Sequence, residues 1–115
     1  MKFMRLCILA ALAASLSGCV LNEQTFNANR STLRQRPDVQ ARGLSSCESK
    51  IKYAHIEFKR RAATFIRADL QDLPQTLCRR MLNGYLSGRM QYSDFKALTT
   101  GQKFTPGMIQ VLRTK

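Results

Sequence analysis

The sequence predicts a small all-α domain, an array of about four helices behind a flexible, disordered N-terminal tether. Apolar residues between positions 51 and 86 recur at spacings of three and four, the period of helices with one face in a core. No stretch alternates apolar with polar residues, which is the mark of a half-buried strand. Punctuation agrees: Asp72, Ser93 and Thr105 stand where helix caps belong, and Gly88 and Gly101 where helices stop.

The first element is a leader. Lys2 and Arg5 favour the cytoplasmic side of a membrane and precede an apolar run of eleven residues, 6–16, broken only by Ser15. That run is about half the ~20 residues a bilayer-spanning helix needs, so residues 1–18 read as a cleaved signal and not as a lasting anchor. The run ends in Leu16-Ser17-Gly18-Cys19, where small residues let a peptidase reach the backbone beside the cysteine. This stretch resembles the lipobox of bacterial lipoproteins. The resemblance covers only the first nineteen residues or so. It implies cleavage before Cys19 and covalent diacylglycerol and N-acyl lipid on that cysteine, with no other cofactor. It also implies a place in the cell envelope, lipid-anchored on the periplasmic face. Val20 stands where an aspartate often signals retention at the inner membrane, which implies the outer membrane of a Gram-negative cell. The rival readings are an ordinary secretory signal, for which Ala13-Ala14-Ser15 also offers small residues, and a buried core helix. Cys7 leaves with the leader in either signal reading.

Residues 19–44 are expected to form the acylated cysteine and a polar tether. Asn, Gln, Arg and Ser dominate, apolar residues are few, and Pro37 would stop any turn nucleated at Leu33-Arg34-Gln35. The domain is then expected over residues 45–115. Ser45-Ser46-Cys47-Glu48 has the form of a capping box. From it a first helix over 47–70 follows, with Ile51, Ala54, Phe58, Ala62, Phe65 and Ile66 on one stripe. Asp72-Leu73-Pro74 marks a second start, and Leu77, Cys78, Met81, Leu82, Tyr85 and Leu86 form its stripe. Two short helices finish the chain. One is capped by Ser93 and buries Tyr92, Phe95 and Leu98; the other opens at Thr105-Pro106 and carries Met108, Ile109, Val111 and Leu112.

Without Cys7 and the acylated Cys19, Cys47 and Cys78 remain as an even pair in an oxidising compartment, where a small core benefits from a staple. An unbroken helix over 47–70 would separate its ends by about 35 Å, whereas bridged Cα atoms lie within about 7 Å. An intramolecular bridge therefore requires a shorter or bent first helix, or a steep return of the second. The alternatives are a bridge between molecules and free buried thiols. Two thiols and the lone His55, with no CxxC spacing, do not make a zinc site.

Removal of Lys2 and Arg5 leaves seventeen basic against seven acidic side chains, a formal +10 on the mature chain. Such an excess attracts acidic partners. Lys59, Arg60, Arg61, Arg67, Arg79 and Arg80 form the densest clusters and are expected to converge as a basic patch near the turn between the two long helices. Aromatic residues of the kind that stack bases fall instead on the apolar stripes. A helix-turn-helix reading of residues 74–98 conflicts with export, so nucleic acid is not the expected partner. No nucleophile–base pair, glycine-rich phosphate loop or metal motif appears, and His55 sits at the margin of a stripe, so an enzyme is not expected.

The expectation is a lipid-anchored periplasmic lipoprotein whose basic helical domain binds an acidic envelope protein. The alternative is direct action on anionic lipid or lipopolysaccharide. A third reading, by analogy of size and location alone, is an exclusion or secretion-channel accessory lipoprotein. Acyl chains supply ~0.8 kcal/mol per buried CH₂, so several chains on Cys19 anchor firmly where one would be marginal. Cys19→Ser should therefore release the protein from the membrane fraction or leave it uncut, and abolish labelling by a fatty-acid probe.

Overall fold

The computed structural model describes residues 22–101 and 103–114, and every regular element among them is helical. The order is α1 Glu23–Arg34, α2 Pro37–Lys52, α3 Ile56–Ile66, a 3₁₀ turn at Leu70–Asp72, α4 Leu73–Ser87, α5 Tyr92–Gly101 and α6 Pro106–Arg113. The all-α class is as predicted, with six α-helices among the described residues in place of about four. The leader, the lipobox and the lipidation expected at Cys19 lie outside the described residues.

The tether expected over residues 19–44 is helix from Glu23 onward. Asn22 starts α1, its side-chain oxygen accepting from the Thr25 N–H at 2.8 Å. Pro37 does end α1, but it then opens α2, where the missing N–H has no partner to lose. Beside it, Arg36 grips Asp38 through two nitrogens at 3.1 and 3.0 Å, and that guanidinium holds the Asp38 carboxyl below the usual carboxylate range. Phe26 explains why α1 belongs to the fold. Only 3% exposed, it packs its ring against Tyr85 at 4.8 Å and Phe95 at 5.5 Å. The Tyr85 hydroxyl donates to the Phe26 carbonyl at 2.7 Å. Burial pushes the Tyr85 phenol above its ordinary pKa, against the opposing charge of Arg30.

The long first helix expected over 47–70 is broken. Ser45-Ser46-Cys47-Glu48 lies inside α2 and starts nothing. The real boundary is Tyr53-Ala54-His55. The N–H groups of Tyr53 and Ala54 donate to Ser49 O and Ile51 O and close α2 tightly. His55 turns extended, and its Nδ1 accepts from the Glu57 N–H at 3.1 Å, so the lone histidine is the cap of α3. Lys59 Nζ reaches back to Lys52 O at 3.0 Å and ties the two helix ends together. The other end of α3 falls at Ile66 because Arg67 takes the left-handed conformation, φ 58°. Such a residue costs roughly 1–2 kcal/mol outside glycine, so packing must hold it.

That break resolves the cysteine geometry. Cys47 in α2 meets Cys78 in α4 with Cα atoms 5.9 Å apart, and they form an intramolecular disulfide. Helix α4 is the hub, packed against α1, α2, α3 and α6. It begins at Leu73-Pro74 and ends at Gly88, φ 85°, much as the sequence indicates. Gly84 lets α6 close on it: a Cβ there would sit 2.4 Å from Val111 Cγ1. Helix α5 starts one residue before Ser93 and is capped differently from the expectation. The buried Asp94 carboxylate accepts from the Gln91 N–H at 2.9 Å and from the Thr105 hydroxyl. Thr105 in turn accepts from Met108 N–H at 3.1 Å, so one carboxylate links the starts of α5 and α6.

A buried phenylalanine removed to alanine typically costs about 3–5 kcal/mol, and ~1 kcal/mol moves a domain of this size by roughly 4–8 °C. Phe26→Ala should therefore lower the melting temperature by more than about 10 °C, followed by far-ultraviolet circular dichroism. A shift of a degree or two would mean that residues 22–35 are not part of the cooperative unit.

Candidate functional site

The six basic residues expected to converge are parcelled out among different surroundings. Arg80 is the clearest correction. It is 8% exposed, and one of its terminal nitrogens donates to Ile66 O at 2.6 Å and to Leu112 O at 2.8 Å. These are carbonyls at the C-terminal ends of α3 and α6. Arg80 is a structural cap whose Nη1 is taken up by backbone carbonyls, although it lines one recess with its neighbour Arg79. Lys59 is half-buried and engaged with Lys52 O, and Arg60 pairs with Glu57 at 3.4 Å. Arg61, Arg67 and Arg79 are exposed. Arg79 edges a shallow recess with Asp72, Gln75 and Asn83, all from α4 and its lead-in, and no α3 residue lines it.

Three arginines outside the expected patch share the role of Arg80. Arg30 donates to Tyr85 O at 2.6 Å and Met90 O at 2.9 Å, Arg34 to Leu86 O at 2.6 Å, and Arg113 to Phe65 O at 2.8 Å. A helix C-terminus exposes unpaired carbonyls and a partial negative charge, which a guanidinium satisfies. Part of the basic excess is thus internal architecture.

What remains outside is a corner where α2 meets α3. Tyr53 stands 79% exposed at the break, with Lys52 Nζ 5.6 Å from its ring centroid. Phe58, expected on the buried stripe, is 49% exposed, and Ile56 is also open to solvent. Lys50, Arg60 and Arg61 stand on the same two helices and are exposed. Placing the break three residues before Ile56 rotates Phe58 out of the stripe drawn for a continuous helix. Aromatic and arginine side chains presented together are the enriched chemistry of binding surfaces.

Beside this corner lies an apolar recess of about 560 Å³. Buried Ile66, Leu77 and Met108 form its base, and Phe58, Phe65 and Phe104 stand along it, the last two rings 5.1 Å apart. Among the described residues, Arg61 is the one charged residue that lines it. The ion pairs among the described residues join Arg36 and Arg42 to Asp38 and Arg60 to Glu57, and Arg61 enters none of them. No cluster of three or more histidine, cysteine or acidic side chains that could hold a metal ion occurs among the described residues. None of the described helices is long and apolar enough to cross a membrane.

No protein-family profile matches the chain, and comparison with curated proteins and with solved structures returns no match. The functional reading rests on the site itself.

Proposed function

We propose that this chain is a lipid-anchored periplasmic lipoprotein, without enzymatic activity, whose helical domain docks on an acidic face of an envelope protein. The observation that carries the docking reading is the α2–α3 corner, where exposed Tyr53, Ile56 and Phe58 stand among Lys50, Arg60 and Arg61. Apolar side chains there supply buried area, and the cations select a partner by charge. The anchoring rests on the lipobox resemblance at Cys19.

Exposed ion pairs contribute only ~0.2–1 kcal/mol each, so the apolar residues must provide much of the affinity. Tethering helps, because a partner on the same membrane is held at raised effective concentration and weak contacts suffice. Anionic lipid is the second reading, favoured by the same pairing of an exposed tyrosine with lysines, a combination suited to a headgroup layer.

A photo-crosslinking residue placed at Tyr53 of the full chain, in intact cells, separates the two. Docking predicts one discrete protein adduct, weakened several-fold by Arg60→Glu and unaffected by Lys96→Glu on α5. Adducts to lipid alone, or a smear of protein adducts insensitive to Arg60→Glu, would overturn it.

A further inference from the structure

The apolar recess calls for a different kind of ligand from the one the corner calls for. It has three properties that together restrict what can fill it: a volume of about 560 Å³, a lining that among the described residues is apolar apart from Arg61, and a guanidinium there that is in no ion pair or hydrogen bond with a described residue. Small-molecule sites span roughly 300–1,000 Å³ and are mostly apolar with a few placed polar groups, so the recess has the size and composition of one.

A protein segment fits it poorly. An extended peptide brings an N–H and a C=O at every residue, each needing a partner, and Arg61 is the one charged side chain available, with donors only. A helix satisfies its own backbone but, at 10–12 Å across and 5.4 Å per turn, fills about 400–600 Å³ per turn. The recess would seat about one turn. An alkyl chain brings no hydrogen-bonding group, bends to follow an irregular cleft, and gains from every methylene it buries against Phe65, Leu98 and Phe104. Arg61 then decides the head group. A guanidinium binds carboxylate or phosphate oxygens through paired donors, and no acidic side chain lines the recess to compete for it. The flanking Phe58 and Phe104, 49% and 47% exposed, would lose solvent contact on binding.

We infer that the recess is a binding site for a single-chain anionic amphiphile of the fatty-acid kind, its alkyl chain along Phe58, Phe65 and Phe104 and its carboxylate on Arg61. The site adjoins the docking corner and shares Phe58 and Arg61 with it, but its test substitutes none of the residues that the docking test substitutes. The purified full chain is labelled with a photoactivatable analogue of laurate and, separately, with the matched fatty alcohol. Labelling by the acid should saturate, map to peptides carrying Phe58, Phe65 or Phe104, and be displaced by unlabelled laurate. Arg61→Gln, an exposed position whose change leaves the helical spectrum intact, should weaken acid labelling about tenfold, the ratio a charged hydrogen bond supplies, and leave alcohol labelling unchanged. Arg67→Gln, an equally exposed cation that does not line the recess, should change neither. Equal labelling of the parent and Arg61→Gln by the acid would overturn the assignment, as would adducts spread over the surface without displacement by laurate.

Discussion

A guanidinium buried without a carboxylate is the constraint on which the rest of this small fold depends. Arg80 projects from the hub helix α4 and bonds the last carbonyl of α3 and one near the end of α6. Those helices have eleven and eight residues, below the ~12–15 at which a helix becomes even marginal on its own. Each C-terminus carries about half a negative charge from its aligned peptide dipoles, so two of them offer one cation close to a full counter-charge. Burying a charge is costly unless it is both paired and hydrogen-bonded, and here both requirements are met by backbone. Arg113 repeats the arrangement on Phe65 O, its guanidinium 5.1 Å from the Phe65 ring centroid. Arg30 and Arg34 do the same for the end of α4.

This use of arginine changes what the net charge means. A formal +12 on the chain looks like a surface made for acidic partners. Four arginines are instead committed to helix ends, and Lys59 to the carbonyl of Lys52. Acidic residues are correspondingly few and, apart from Glu48 inside α2, stand near starts, among them Asp38 beside Pro37, Glu57 in the first turn of α3 and Asp94 linking α5 to α6. The helices are thus held by acids at N-termini and bases at C-termini, with the disulfide pinning α2 to α4. The charge left over is smaller and more local. It lies where exposed aromatic side chains also lie, at the α2–α3 corner and along the recess that Arg61 lines.

Where local chemistry decides an element, the sequence was legible. Pro74 and Gly88 bound α4, and Thr105-Pro106 opens α6; a bridge within the chain called for a shorter or bent first helix or a steep return of the second, and the broken helix is what forms. Two misreadings came from signals that tertiary contacts override. Phe26, Arg30 and Leu33 share one helix face at i, i+4 and i+7, but an arginine in the middle of that face hides its inward orientation. Only the distant carbonyls of Tyr85 and Met90 explain why Arg30 turns inward. The capping box at Ser45–Glu48 is the reverse case, a local start signal inside a helix that Pro37 had already opened. The actual break, capped by a histidine with no glycine or proline near it, carries almost no local mark, and with it went the exposure of Tyr53 and Phe58.

The claim that carbonyl-capping arginines hold this fold is tested most directly at Arg80, by urea unfolding of Arg80→Met beside Arg79→Met. Methionine fills much of the same space without the donors, whereas position 79 is exposed and touches neither helix end. Hydrogen bonds to a charged group contribute about 1.5–3 kcal/mol, so Arg80→Met should lose at least about 2 kcal/mol while Arg79→Met stays within about 0.5 kcal/mol of the parent. Equal stability of Arg80→Met and the parent would contradict the account.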